Sequence, residues 1–465
     1  QQDFLDCCIG FLQDPSVGLL QTPQTFINAD PVMRNLGMER WLLPDEESFY
    51  RWIEPVRDGW GAVVCAGTAF LARRSAIDSV GGFREQAISE DFVTGLRLRR
   101  RGWKLLYLQQ KLSAGLAAET MADFVRQRQR WANGTLQSLR LHDGPLGRGD
   151  LRIGERMAYL EGVVHWFNNM PRLVLMLMPL SYGLLGTVPI LISTGEALRM
   201  LLPLWATLLL SIGWLNRGSR TALLSELTGW VLTVPLTLTV FANLLGRIGG
   251  FRVTPKHQRR DRGSFSPVLV IPLLGLLLLN VFNLHGLITT NSLNSAVLDS
   301  RPLGLTWAVI NLFSLWIALR ACWDPPARDP APWQAALQPA ALENSSGQWQ
   351  SCQLTAISES GVELTMPDAM SAELSCSRLR WTDDLPALPV ELESRQGKRL
   401  ALRWRELSDR HRQQLILWLF CRPGCWPDRQ APPEWRAFMA LISRLFTLPA
   451  RGPFRRCLMP RTPPQ

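Results

Sequence analysis

The spacing of apolar positions changes three times along the chain, and each change predicts a different kind of structure. Between residues 1 and 160, short apolar runs at 17–21, 60–71 and 105–108 alternate with helical stretches and Gly/Pro turns. Apolar runs bounded by turn residues read as buried strands, and their alternation with helices predicts an α/β domain. From 161 to 322 the chain carries apolar blocks near 170–192, 197–213, 228–245, 267–285 and 303–319. Each approaches the roughly 20 residues needed to cross a bilayer core. Past residue 322, Pro325, Pro326, Pro330 and Pro332 mark a linker, after which alternation at 349–358, 362–365 and 400–404 predicts short antiparallel strands. A small β-barrel over 323–450, closed by a helix at 411–420, is expected, followed by a disordered Pro/Arg-rich tail at 451–465.

Loop charge orients the apolar blocks. The segment 246–262 holds Arg247, Arg252, Lys256, Arg259, Arg260 and Arg262, whereas 286–301 has only Asp299 and Arg301. The positive-inside rule puts the first loop in the cytosol and the second outside. With a cytosolic N-terminal domain, an even number of crossings must precede residue 246, yet three blocks are visible there. One of them is interfacial or re-entrant, or one hides two short spans.

Composition sharpens this picture. At 47% hydrophobic and 19% charged residues the chain is too apolar for an ordinary soluble protein and too charged for a pure membrane bundle. The net charge of +11 gathers beside apolar blocks without a stripe of base-stacking aromatics, which argues against nucleic acid and for membrane lipid as the partner. Only four of the 50 basic residues are lysines, so a lysine at a motif position carries information. Nine cysteines without a CxxC or HExxH pattern support neither a disulfide framework nor a zinc site, and reduced cytosolic thiols are expected. The chain starts at Gln1 with no signal-peptide pattern and reads as the C-terminal part of a longer protein.

Two helices carry candidate chemistry. Ser89 fits an N-cap, with Glu90 and Asp91 in the first turn and Gly102 just past the end. Capping alone explains that pattern, but a carboxylate fixed at a helix start is also what a general base requires. On a second helix beginning near Thr120, Gln127, Arg130 and Trp131 fall at i, i+3 and i+4 and share one face. That face is either a solvated polar surface over a buried Trp or a saccharide site. An indole offers a flat platform to a sugar ring, and a guanidinium neutralises the phosphate of a nucleotide leaving group.

These residues, together with Gln21, Thr22, Pro23 and Gln24 in the run QTPQTFINADP, CAGT at Cys65 to Thr68, Ser89 to Asp91 and QxxRW at Gln127 to Trp131, resemble the processive family-2 type glycosyltransferases. Within them the chain is most similar to bacterial cellulose synthase catalytic subunits, over essentially its whole length, with Ser89 where that family more often has Thr. The resemblance implies a partial GT-A-like α/β glycosyltransferase domain over 1–160, a helical transmembrane bundle over 161–322 and a PilZ-like β-barrel. It implies that Asp91, beside Glu90, is the base for the acceptor 4-hydroxyl, and that Gln127, Arg130 and Trp131 hold the acceptor end and the donor diphosphate. It further implies inverting transfer from UDP-glucose to a growing β-1,4-glucan, exported across the cytoplasmic membrane toward a periplasmic export subunit.

Two further matches narrow the resemblance. Phe251, Val253, Thr254 and Lys256 reproduce an FxVTxK gating loop, which would close over the donor and exclude water. A basic loop gripping lipid headgroups is the alternative. Arg328, Ser358 and Gly361 match a PilZ cyclic di-GMP pattern, but Pro332 stands at the second Arg position and Ala356 at the acidic or amide position. Each lost charge-assisted contact is worth about 1.5–3 kcal/mol, so activation by c-di-GMP is expected to be weak or absent. A plain β-turn at 358–361 is the alternative. The family's Asp-x-Asp, which holds Mg2+ on the donor diphosphate, is expected upstream of Gln1, and the chain without it is expected to be inactive alone. Two other functions compete: a synthase of another β-glycan (chitin, hyaluronan or mannan type), and a non-catalytic membrane subunit of an exopolysaccharide complex.

Overall fold

The computed structural model describes residues 1–465 except 148, 149, 191, 225, 251–253, 290–294, 328, 330, 344, 345, 368–376, 427, 446–457 and 460–465. The run 17–21 forms β1 (Val17–Gln21), buried along its whole length as a continuous apolar run predicts. After two residues come β2 (Gln24–Phe26) and then α1 (Pro31–Leu36), which Asp30 caps by accepting from the Met33 amide at 2.9 Å. The expected strand at 60–71 is only β3 (Phe70–Ala72); most of that run is irregular. Helix α2 (Glu90–Arg100), β4 (Lys104–Tyr107), β5 (Ser113–Gly115) and α3 (Met121–Ser138) complete the domain. β1 pairs parallel with β4 and antiparallel with β3, so Gln21 stands opposite Tyr107 and Phe70 at the end of the three-stranded sheet. β2 and β5 form a separate parallel pair. Leu19, Leu98 and Leu105 are buried between this sheet and α2, each worth about 1.5–3 kcal/mol.

The apolar blocks do not all become straight spans. The block at 170–192 is broken into α4 (Asn169–Leu177) and α5 (Leu180–Leu184) at Pro179. Side chains of neighbouring helices take up backbone groups freed by the break: Asn311 donates to the Met176 carbonyl at 2.9 Å and Asn283 accepts from the Gly183 amide at 2.8 Å. The remaining blocks are α6 (Thr194–Leu215), α7 (Glu226–Leu244), α8 (Pro267–Thr289) and α9 (Ser295–Ala321). Among the described residues four helices are long and apolar enough to cross a membrane. Their packing sets α7 apart: half of its apolar stretch is buried inside the protein, against none for α6. α7 runs beside α3, with Gln129 donating to Thr239 at 3.1 Å and Asn133 accepting from Asn243 at 2.5 Å. α7 is therefore laid along the N-terminal domain, against α3.

Beyond α9 the chain builds a closed six-stranded barrel. Strands β6 (Trp333–Glu343), β7 (Trp349–Ile357), β8 (Gly361–Thr365), β9 (Ser377–Arg380), β10 (Leu388–Gln396) and β11 (Arg399–Trp404) follow the order β6-β7-β8-β11-β10-β9, and β6 also pairs with β9. Closure removes the free edges. Leu342, Leu354, Val362, Leu364, Leu388 and Leu402 fill the interior. Helix α10 (Asp409–Ile416), capped by Ser408, is the expected closing helix, and Trp418 just beyond it packs edge-on against Trp381 at 5.5 Å. β6, interrupted by Pro339 and preceded by Pro332, escapes the sequence reading because prolines mask its pattern. So does α11 (Glu434–Leu445), whose Ala437 and Leu441 join the core shared with α1, α3 and α7. Leu458–Met459, within the tail read as disordered, form a short strand β12 parallel to the start of β6; the rest of that tail lies outside the described residues.

Candidate active site

The Asp91 carboxylate sits in a cup made by backbone. Gln21, fully buried at the end of β1, donates to the Thr68 carbonyl at 2.8 Å and accepts from the Ala66 amide at 2.9 Å. Thr22 donates to the Ala69 carbonyl at 2.8 Å. The two side chains clamp the CAGT loop so that Gly67, in a left-handed conformation (φ +74°), lies directly against Asp91. A Cβ at Gly67 would fall 3.2 Å from the Asp91 Cγ and closer still to Oδ2. Oδ1 accepts from the Phe92 amide at 2.7 Å. Burial pushes the Asp91 carboxyl up to about 6; the Phe92 hydrogen bond and the charge of Arg130 oppose that rise, and Glu90 adds to it. Desolvation here outweighs the lowering that a helix N-terminus exerts on a carboxylate.

Helix α3 brings the second motif to the first. Thr120 caps it by accepting from the Asp123 amide at 3.0 Å, as its position predicts. Ser89 does not cap α2, contrary to expectation: its side chain makes no cap hydrogen bond and is spent on a close approach instead. A Cβ at Gly134 of α3 would fall 2.7 Å from Ser89 Cβ and 2.8 Å from its amide nitrogen, so only glycine lets α2 start this close to α3. Gln137 fastens the same junction by accepting from the Ile88 amide at 3.0 Å. Gln127, Arg130 and Trp131 are half-buried on α3. The charge of Arg130 is felt at both Asp91 and Lys256, which brings three separately predicted motifs to one place. Trp131 is covered on one side by the Arg128 guanidinium, 4.5 Å from its ring centre.

Of the expected gating loop, Phe251 and Val253 lie outside the described residues. Thr254 and Lys256 belong to a segment laid over the start of α3. Lys256 donates to the Leu116 carbonyl, while Glu119 accepts from the His257 and Gln258 amides at 2.7 Å each. Gln258 also donates to Asp123 at 3.1 Å. Desolvation lowers the Lys256 pKa, with Glu119 opposing and Arg130 adding to the shift. The far side of the segment pairs with the linker that leads to the barrel, through antiparallel bridges Arg260 to Ala327 and Ser264 to Asp324. Asp324 is itself buried and accepts from the Met121 amide at 3.0 Å and from Arg34 at 3.1 Å.

In the barrel, Ser358 and Gly361 make a turn in which the Ser358 hydroxyl accepts from the amides of Ser360 and Gly361 at 3.0 and 3.2 Å. Arg328 lies outside the described residues. Its neighbour Asp329 accepts from the Ser360 hydroxyl at 2.5 Å and from the Trp333 indole at 2.9 Å. Ala356 is buried, paired with Glu363 across the strands. A carboxylate of the chain itself thus occupies the edge of this turn.

Among the described residues no three His, Cys, Asp or Glu side chains come together as a metal-holding set. The adjacent carboxylates Glu90 and Asp91 do not by themselves make one. Sequence reasoning missed Gly134, Gln137, Glu119 and Arg128. Gly134 left a signal, since a glycine inside a helical pattern costs about 1 kcal/mol and points to a close approach. The other three are ordinary polar residues whose partners come from distant parts of the chain.

The profile of glycosyl transferase family group 2 matches residues 1–245, which takes in the Asp91 cup and all of α3. A cellulose synthase catalytic subunit (UDP-forming) of Komagataeibacter sucrofermentans is 31% identical over 68% of this chain and 43% of its own length. The corresponding subunit of Pseudomonas fluorescens is 28% identical over 91% of the chain and 58% of its own length. A putative cellulose synthase 2 of Komagataeibacter xylinus is 30% identical over 97% of the chain, which spans 31% of that relative. The chain therefore covers well under two thirds of the length of these relatives. With more than half of its residues matching the family profile around the assembled site, the chain belongs to glycosyl transferase family group 2.

Proposed function

We propose that the protein containing this chain transfers glucose from UDP-glucose to the 4-hydroxyl of a β-1,4-glucan and passes the product outward through its own helices. The observation that carries this reading is the meeting of Asp91, cupped by Gly67, with the Gln127, Arg130 and Trp131 face across the Gly134 contact. Asp91 takes the proton from the acceptor 4-hydroxyl as that oxygen attacks the anomeric carbon from the face opposite the leaving UDP, which inverts the centre. A carboxyl near pH 6 is ionised at neutral pH yet basic enough to accept that proton. Trp131 stacks under the terminal sugar, Gln127 bonds its hydroxyls, and Arg130 stabilises charge developing on the departing diphosphate. A divalent metal on that diphosphate would need ligands from outside the described residues.

The segment around Thr254 and Lys256 rests on Glu119 at the rim of this site. In this reading it is the hinged end of a loop that covers the donor, so that glucose goes to the acceptor rather than to water. The broken α4–α5 pair, α6, α8 and α9 form the membrane part in this reading, so that the N-terminal domain and the barrel both face the cytosol, with α7 at the interface and an export subunit on the far side. Asp329 puts a negative charge beside Ser358 and Ser360, where a cyclic dinucleotide phosphate would otherwise be held, which supports weak or absent c-di-GMP binding.

The test is synthesis by the full-length protein in membrane vesicles supplied with UDP-glucose and magnesium, with and without cyclic di-GMP. Polymer that a β-1,4-glucanase cuts to cellobiose, lost in Asp91→Asn, is the expected result. Radiolabel entering only from UDP-GlcNAc would sink the cellulose assignment, and equal synthesis by wild type and Asp91→Asn would remove Asp91 as the base.

A further inference from the structure

Trp131 does not stand alone on α3. The Arg128 guanidinium carbon lies 4.5 Å from the centre of the Trp131 ring and 4.9 Å from that of Phe124, its neighbours three residues on and four residues back. Arg128 is also buried, at 7% exposure. Its charge is met from a separate part of the chain by Glu46 at 2.5 Å and Asp45 at 3.5 Å. Taking a guanidinium out of water is costly unless its charge and donors are satisfied. A methionine or leucine would fill the same space without that cost. What an aliphatic side chain lacks is a rigid plane. Tied at Nη2 to Glu46 and set against both the Phe124 and Trp131 rings, the guanidinium is restricted in orientation, and a ring lying on it takes its own orientation from that plane.

We infer that Arg128, clamped by Glu46, is a positioning residue that sets the plane of the Trp131 indole and so presents the ring to the acceptor sugar. The inference rests on Trp131 being the acceptor platform and adds what orients that platform. It assigns Glu46, 82 residues before Arg128 in sequence, to the same function. A platform tilted by a few tens of degrees still binds sugar but delivers the 4-hydroxyl off line from the anomeric carbon, so the loss falls on turnover rather than on donor binding.

The experiment uses the full-length protein in vesicles with UDP-glucose, at matched protein amounts and with the thermal midpoint of each variant recorded. Arg128→Met is expected to lower kcat about tenfold, with KM for UDP-glucose within about twofold of wild type. Arg128→Lys, which keeps the charge but not the plane, and Glu46→Gln, which weakens the clamp, fall between. Adding Arg128→Met to Trp131→Ala costs nothing more, because both act through one ring. Losses that multiply in the double variant overturn the inference, as does a wild-type rate in Arg128→Met alongside a loss in Trp131→Ala. A wild-type rate in Trp131→Ala overturns the platform reading, and the inference with it. If Arg128→Met does not fold, Glu46→Gln takes its place in the same cycle.

Discussion

Replacing Gly67 by alanine tests whether the backbone cup around Asp91 sets its position. The added methyl would fall 3.2 Å from the Asp91 Cγ and closer to Oδ2, where carbon and oxygen need about 3.5 Å. The loop cannot give way easily, because Gln21 and Thr22 bond it on both sides of Gly67. The carboxylate must therefore retreat by about 1 Å, and a misplacement of that size costs on the order of a hundredfold in rate. Alanine at φ +74° adds strain of about 1–2 kcal/mol. Gly102→Ala separates the two effects: it imposes similar strain at φ +88° with nothing within 4 Å of the new Cβ. Release of UDP by the full-length protein in vesicles is the assay, with thermal midpoints measured in parallel. Gly67→Ala is expected to lose about two orders of magnitude in rate, and Gly102→Ala to lose stability but keep its rate. If Gly67→Ala works within about threefold of wild type at equal protein level, contact with Gly67 does not set the position of the base.

Asp91 titrates upward from 3.8 to about 6, so the rate is expected to rise through pH 6 and level off above it. Its neutral form is favoured by folding; that contribution is present in full below pH 4 and is lost as pH rises through 6. Asp91→Asn should thus abolish synthesis yet raise the thermal midpoint at pH 8, through a gain of about 3 kcal/mol at most that shrinks toward pH 4; a lower midpoint at pH 8 would contradict the burial argument. Gly134→Ala is expected to destabilise by about 1–3 kcal/mol and to cut the rate, because its Cβ meets Ser89; a neutral outcome on both counts would show that α2 and α3 can part freely. Glu119→Ala removes two charge-assisted acceptors, so amide exchange at His257 and Gln258 should quicken at least tenfold, read by hydrogen-exchange mass spectrometry. Unchanged exchange would mean that the segment is held by its other contacts, Lys256 to Leu116, Gln258 to Asp123 and the bridges to Asp324 and Ala327.

Periodicity made the three regions legible, because each buries its apolar surface in a different way. β1 matches its apolar run residue for residue, and Thr120 caps α3 where the pattern starts. The candidate site was legible through residue types at helical spacing: Gln127, Arg130 and Trp131 lie on one helix whatever surrounds it. Less was legible where prolines interrupt a strand, as in β6, or where a helix packs on distant segments, as in α11. Hydropathy groups α7 with α6, α8 and α9 because composition alone does not tell lipid from protein as the apolar partner, and only the structure shows how much of α7 is covered.

By itself the sequence determined which residues could do chemistry and which stretches could enter a membrane, since both follow from side-chain type and local spacing. The tertiary structure decided what those residues do to one another. Ser89 became a contact for Gly134 rather than a cap, Asp91 moved up to about 6 through burial, and Arg128 met Glu46 and Trp131. Each of these depends on groups that are far apart along the chain and are brought within a few ångströms by the fold. Burial and contact distance, which set charge and orientation at a site, are properties of that arrangement and leave no periodic trace in the sequence.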